Sequence, residues 1–214
     1  MKRRYLNLAL ICTCVIAGVS HRSATGKETH VIQNAEAIDK MRDRDLQPER
    51  IMDAIKLDKG MIVGEAGAGY GYFTFKMSKR VGSTGIVFAN DIDPAVLQNI
   101  KEKCRSEKVT NIQTVLGKID DPMFSNNNLD MVVVFDCLFE FSQPAEWMQN
   151  TKKYLKPGGT LVIVDPDPSR FIRSDHFLSK EQIHEIALKS GYALSEVDDS
   201  FLKSHMIIVL KPMR

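Results

Sequence analysis

A chain of 214 residues, 43% hydrophobic and 26% charged, can bury a sizeable core and falls within the usual span of one domain. Lys+Arg 29 against Asp+Glu 27 leaves a net charge of +2 spread along the chain, which excludes a basic face built for nucleic acid. Of the four cysteines, Cys12 and Cys14 lie in an apolar run, and the spacing of Cys104 and Cys137 matches neither a zinc site nor a disulfide scaffold; the expectation is two unpaired thiols and no metal.

The N-terminus departs from this balance. Lys2, Arg3 and Arg4 precede the nearly uncharged "YLNLALICTCVIAGVS" and then a polar stretch, the layout of a secretory signal. The apolar run is short of the ~20 residues that a spanning helix prefers, and Gly18 and Ser20 suit cleavage after Ser20. Ile11 before Cys12 and Thr13 before Cys14 disfavour a lipoprotein signal. Residues 1–25 therefore read as a signal peptide or N-terminal membrane segment, and residues 34–214 as the folded domain. The expected location is exported or membrane-associated, or cytosolic if the segment is not used.

Further along, "NAEAIDKMRDRD" predicts a helix, followed by a second in "LQPERIMDAIKL", where Pro48 suits the first turn and Ile51, Met52 and Ile55 form an apolar face. Strand and helix signals then alternate: strand 61–65, helix 70–79, strand 85–90, and a helix from Pro94 capped by Asp93. A strand at 111–115, a loop at 117–128 and the strand "LDMVVVF" follow. Next come a helix from Pro144 to Leu155, the turn "KPGG", the strand "TLVIVD", and a helix opened by the capping box Ser179 and Gln182. "GYALSEV" and "HMIIVLK" end the chain as strands; only "DDSFLK" separates them, so they should pair antiparallel as a hairpin at the sheet edge. Apolar runs without alternation imply strands covered on both faces, hence an α/β, Rossmann-like, doubly wound seven-stranded sheet, mostly parallel with an antiparallel C-terminal strand.

The first strand runs into Glu65, Gly67, Gly69 and Gly71, an E-x-G-x-G-x-G loop. Glycines at a strand tip let the backbone approach a nucleotide. A dinucleotide loop starting at Gly67 and Gly69 wants a small residue at position 72, where the chain has Tyr72, and no Gly-Lys-Ser/Thr follows for a phosphate loop. Asp91, at the end of the next strand, suits the two hydroxyls of an unphosphorylated ribose.

In this order and spacing, "IVGEAGAGYGYFTF", "GIVFANDIDPAVL", "VLGKIDDPMF", "LDMVVVFDCLFEF" and "YLKPGGTLVIVD" resemble the successive motifs of class I S-adenosylmethionine-dependent methyltransferases of the single-domain, small-molecule type. The resemblance covers about residues 40–211 and implies S-adenosylmethionine as cofactor and a small-molecule methyl acceptor. It further implies that Glu65 lies beneath the glycine loop, bonding its amides or the donor's ammonium group. Gly67, Gly69 and Gly71 would pass close to the methionine and ribose, Asp91 would hold the ribose, and Ile92 would pack on the adenine. Ile119 and Asp120 would edge the adenine, and Asp136 would face the methionine end. Where many relatives carry an acid next to the glycine of the third motif, this chain has Lys118, which leaves that contact to Asp120 or to backbone.

A general base is needed only if the acceptor must lose a proton. Glu140, after the fourth strand, and His176, after the fifth, are the weak candidates, each set against a plain loop role. Tyr70, Tyr72, Phe139, Phe141 and Trp147 could line a pocket or pack the fold, whereas Phe73 reads as core. Two other classes stay open: an NAD-dependent oxidoreductase on a similar sheet, and a protein that binds S-adenosylmethionine without catalysis.

Overall fold

The computed structural model describes residues 27–213, apart from residues 126, 172–174 and 196–198. The N-terminal segment 1–25 and its expected cleavage site lie outside the described residues. Residues Asp43–Arg214 form one compact unit.

In chain order the elements are α1 (Lys27–Leu46), α2 (Pro48–Ala54), β1 (Ile62–Ala66), α3 (Tyr72–Val81), β2 (Ile86–Asp91), α4 (Pro94–Glu107), β3 (Ile112–Leu116) and β4 (Leu129–Phe135). They continue through α5 (Pro144–Thr151), β5 (Leu155–Pro166), α6 (Lys180–Lys189), β6 (Tyr192–Ser195) and β7 (His205–Pro212). The seven strands lie in the order β3-β2-β1-β4-β5-β7-β6. All pairings from β3 to β5 are parallel; β7 runs antiparallel to both β5 and β6. The order reverses between β1 and β4, and ligands of open α/β sheets settle at the carboxyl ends of strands at such a point.

The unbroken apolar runs have the cause the sequence implied. Along β4, Val132 and Val134 enter the buried cluster with Trp147, Met148, Ile183 and Ala187. Their neighbours Val133 and Phe135 enter the opposite one with Ile51, Met52, Phe73 and Met77. β4 thus buries both faces, and α2 supplies the apolar face read from its sequence, with Ile51 and Met52 fully buried.

Three boundaries differ from expectation. Gly71, at φ 84, caps α3, so the helix starts at Tyr72 and leaves Tyr70 in the loop. α5 stops at Thr151 and passes through a short 3₁₀ turn, Lys152–Tyr154. β5 begins at Leu155, because Leu155 pairs with Leu129 and the "KPGG" stretch becomes an irregularity within the strand where the register shifts. The hairpin of β6 and β7 is antiparallel as read, with β6 at the edge and β7 inserted beside β5. Asp93 caps α4 by accepting from the Ala95 amide at 2.8 Å, and the Ser179/Gln182 capping box opens α6.

Candidate active site

β1 ends on Ala66, and the glycine loop crosses directly to the tip of β2. The Ala68 amide donates to the Asn90 carbonyl at 2.9 Å, and the Gly71 amide to the Ala68 carbonyl at 2.9 Å. Gly67, at φ 68, has no room for a side chain: a Cβ there would fall closer than 3.0 Å to Sγ of Cys137. Gly69, at φ 52, is the reverse case, since a Cβ would meet nothing nearer than the Gly67 carbonyl at 4.0 Å. The loop is therefore pinched against the tip of β4 at one glycine and left open at the next, the space a ligand needs to approach bare main chain.

Asp91 borders that opening. Its Oδ2 accepts from the Gly69 amide at 3.0 Å and its Oδ1 from the Asp93 amide at 3.0 Å. An ionised carboxylate has about four acceptor positions, so two remain for a pair of vicinal hydroxyls. Ile92 and Ile119 stand 59% and 51% exposed after β2 and β3, apolar side chains at the strand tips without a burial of their own. The segment carrying Ile119 and Asp120 is pinned by buried Asn90, whose amide donates to the carbonyls of Val115 at 3.1 Å and Pro122 at 2.7 Å. The Asp120 carbonyl accepts from Asn150 at 2.8 Å. The Lys118 amide donates to the Asp121 carbonyl at 2.7 Å, and the Asp121 side chain is itself taken up by Lys153 and Tyr154. These residues fit an adenosine: hydroxyl acceptors at β2, apolar flanks after β2 and β3, and an open glycine between.

The other end of the opening is acidic. Buried Glu65 accepts from the Thr74 hydroxyl of α3, tying β1 to the helix that follows the loop. Asp136, just past β4 in a left-handed conformation (φ 59), has Oδ1 3.4 Å from Nε2 of buried His205, whose Nδ1 is 2.9 Å from the Ser204 hydroxyl. Asp165, 2% exposed, uses one oxygen to accept from the Cys137 amide at 3.0 Å and the Leu138 amide at 3.5 Å, and its other oxygen has no hydrogen-bond partner among the described residues. Cys137 donates its thiol to the Ala66 carbonyl at 3.3 Å. Enclosure, and after it the charges of Asp165, Asp136, Glu65 and Glu140, push this thiol well above the usual range, so it stays protonated beside the glycine loop. Glu65 and Asp136, gathered at this end of the opening, suit a ligand bearing positive charge.

Burial, and then the nearby charge of Asp136, raise the Asp165 carboxyl well above its ordinary range, against the lowering effect of the amides it accepts from. The folded chain therefore holds this proton after the unfolded chain has released it. The stability contributed is present below the unfolded pKa of about 3.9 and is lost as pH rises through the folded value, by at most about 1.4 kcal/mol per pH unit. Asp165→Asn removes that slope, so its melting temperature relative to wild type should climb as pH rises above about 4. Parallel melting curves that keep a constant offset would contradict the assignment.

The aromatic candidates separate. Phe73 is 1% exposed and stacks on Phe135 at 4.3 Å, and Trp147, 2% exposed, meets Phe141 at 5.1 Å; these pack the fold. Tyr72 donates its hydroxyl to Asp43 at 2.8 Å, whereas Tyr70 is 59% exposed at the loop. Glu140 is exposed in the 3₁₀ turn Leu138–Glu140, and exposed His176 lies edge-on to Phe139 of the same turn at 5.4 Å, which brings both catalytic candidates to one edge. Thr74, Asp165 and His205 were not singled out from sequence. A usable signal existed for Asp165: β1, β2 and β5 all carry an apolar run into an acid, as does the residue after β4.

The family model described as "Methyltransferase domain" matches residues 57–202, more than half of the chain. A curated relative, the ubiquinone/menaquinone biosynthesis C-methyltransferase UbiE of Haemophilus ducreyi, is 30% identical over 115 residues, 53% of this chain and 44% of that protein. The chain thus spans less than half the length of the curated relatives it matches. Among solved structures, a SAM dependent methyltransferase from Aquifex aeolicus aligns with TM-score 0.74 at 20% identity, over 83% of this chain and 96% of that one. Aeropyrum pernix fibrillarin in complex with natively bound S-adenosyl-L-methionine aligns with TM-score 0.55 at 19% identity, over 72% and 68%. Fold, glycine loop and family match agree: the chain belongs to the methyltransferase-domain family, the S-adenosylmethionine-dependent class that its motifs resemble.

Proposed function

We propose that the chain transfers the methyl group of S-adenosylmethionine to a small-molecule acceptor. The observation that carries this reading is the open face of Gly69 with its amide bonded to Asp91, whose remaining acceptor positions suit a ribose without a 2′-phosphate. Ile92 and Ile119 flank the adenine, Asp120 edges it, and Glu65 and Asp136 set the negative field at the methionine end, with Gly67 and Gly71 shaping the loop. When bound, the donor supplies a methyl group on a positively charged sulfur, so the acceptor's lone pair forms the new bond to carbon as the carbon–sulfur bond breaks toward sulfur. The protein's part is to hold acceptor and methyl in line with little water present. The relatives named for ubiquinone/menaquinone biosynthesis support a small-molecule acceptor over a macromolecular one. Titration calorimetry with S-adenosylmethionine and with NAD, followed by transfer of label from methyl-labelled donor, tests the reading. Saturable binding of the first and none of the second is expected; binding of NAD alone would overturn it.

The basic, apolar and polar layout of residues 1–25 supports a separate proposal, an exported or membrane-associated location. Among the described residues no helix is long and apolar enough to cross a membrane, so this rests on the sequence of that segment. Fractionation and N-terminal sequencing should find a mature chain beginning at His21; intact chain confined to the cytosol would contradict it.

A further inference from the structure

His205 stands out in the last strand. It opens β7, and the three residues after it, Met206, Ile207 and Ile208, are buried and apolar, as a strand covered on both faces requires. His205 is itself only 6% exposed, and an imidazole so enclosed is costly unless its nitrogens are bonded. Both nitrogens have partners. Nδ1 lies 2.9 Å from the Ser204 hydroxyl, and Nε2 lies 3.4 Å from Oδ1 of Asp136. A carboxylate only accepts, so Nε2 is the nitrogen that carries hydrogen toward it; in the neutral ring Nδ1 is then the acceptor and the Ser204 hydroxyl donates to it.

Asp136 is held against its local preference. Its φ of 59 is left-handed backbone, which a residue other than glycine keeps only where the surroundings over-determine it. Its amide donates to the Val164 carbonyl of β5 at 2.8 Å while its carboxylate meets β7, so the residue is tied from two strands. The place so fixed adjoins the donor loop. β4 runs beside β1 with Val134 opposite Ala66, and Cys137, the residue after Asp136, donates its thiol to the Ala66 carbonyl and fills the room beside Gly67. The charges of Asp136 and Glu65 both act on that thiol, which sets the two acids around one point of the loop. A strained residue held by long-range contacts beside a loop that receives a ligand points to use in binding.

We propose that His205 is a positioning residue for the donor: its Nε2 fixes the Asp136 carboxylate toward the positively charged amino-acid end of S-adenosylmethionine, and it acts through Asp136 alone. This inference rests on the donor reading above. A histidine that merely packed β7 onto β5 would bear equally on both ends of the donor, and its loss would add to the loss of Asp136 instead of being contained in it.

The test is titration calorimetry on the full chain with two ligands, S-adenosylmethionine and 5′-methylthioadenosine, which keeps the adenosine end and lacks the amino acid. His205→Gln places an amide where Nε2 stood and should hold S-adenosylmethionine within about twofold of wild type. His205→Asn places its amide where Nδ1 stood, loses Asp136, and should weaken S-adenosylmethionine about tenfold, as Asp136→Asn should. Both His205 variants should bind 5′-methylthioadenosine like wild type, which also shows that they are folded. His205→Asn combined with Asp136→Asn should be no weaker than Asp136→Asn alone. If His205→Asn does not fold, Ser204→Ala, which removes the hydroxyl that fixes the ring, should weaken S-adenosylmethionine about threefold and spare 5′-methylthioadenosine. Unchanged S-adenosylmethionine affinity in the asparagine variant, equal weakening of both ligands, or losses that multiply in the double variant would overturn the proposal. A wild-type chain that binds S-adenosylmethionine but shows one of those patterns leaves the donor reading standing; a wild-type chain that binds neither ligand sinks the donor reading and this inference with it.

Discussion

Replacing Asp91 with alanine should lower affinity for S-adenosylmethionine by at least about 100-fold, or about 2.7 kcal/mol, as read by titration calorimetry. The carboxylate does two jobs. It holds the Gly69 amide at 3.0 Å, keeping the loop in its open form, and it offers the remaining acceptor positions to the ribose. Hydrogen bonds to a charged group contribute roughly 1.5–3 kcal/mol each, so losing two from the ribose accounts for the drop without invoking the loop. Asp91→Asn keeps one acceptor oxygen and should fall between wild type and alanine. Because Asp91 is only half-buried, the melting temperature without ligand should move little. Unchanged donor affinity in Asp91→Ala would place the ribose elsewhere.

The second large effect separates two neighbouring glycines. Gly67→Ala combines a left-handed backbone with a Cβ driven into Cys137, and the thiol cannot retreat easily because it is bonded to Ala66 and its own amide is held by Asp165. A loss of about 3 kcal/mol in folding stability is expected, from backbone strain of roughly 1–2 kcal/mol together with overpacking of similar size. Gly69→Ala carries the backbone strain alone, since its Cβ meets open space, and should cost only about 1 kcal/mol in stability. Its cost should appear in binding instead, because the added methyl fills the space through which the donor approaches. Chemical denaturation and donor titration on both variants would show the crossing pattern: Gly67→Ala the less stable, Gly69→Ala the more stable and poorly binding. A Gly69→Ala protein that binds donor like wild type would show that this face of the loop is not used.

What could be read from sequence were features that local chemistry imposes. A strand buried on both faces needs a run such as "MVVVF", a capped helix needs Asp93 before Pro94 or Ser179 with Gln182, and each appears where it was expected. The loop and the Asp91 beside it were legible for the same reason: bare backbone next to an acid is a local pattern. The start of α3 was misplaced by two residues because Gly71, in a left-handed conformation, ends the loop that Tyr70 belongs to.

Illegible were the contacts made by register between distant segments. The antiparallel terminal hairpin could be inferred from its short connection, yet nothing local says that β7, not β6, slots beside β5. That insertion pairs His205 with Pro166 and brings its imidazole to Asp136, 69 residues earlier in the chain. Likewise Asp165 reads as one more strand-ending acid until the fold shows it bonded to the turn after β4. The aromatic residues divide on the same principle: Phe139, Phe141 and Trp147 lie within nine residues, and only tertiary packing sends Phe141 and Trp147 to the core and Phe139 to an edge-to-face contact with Phe177.

A crystal structure of the chain with S-adenosylhomocysteine tests the central claim most directly. The account predicts ribose hydroxyls on the Asp91 carboxylate, adenine between Ile92 and Ile119, and sulfur facing the turn that runs from Cys137 to Phe139. A nucleoside seated away from the tips of β1 and β2, with Asp91 left to its backbone partners, would contradict it.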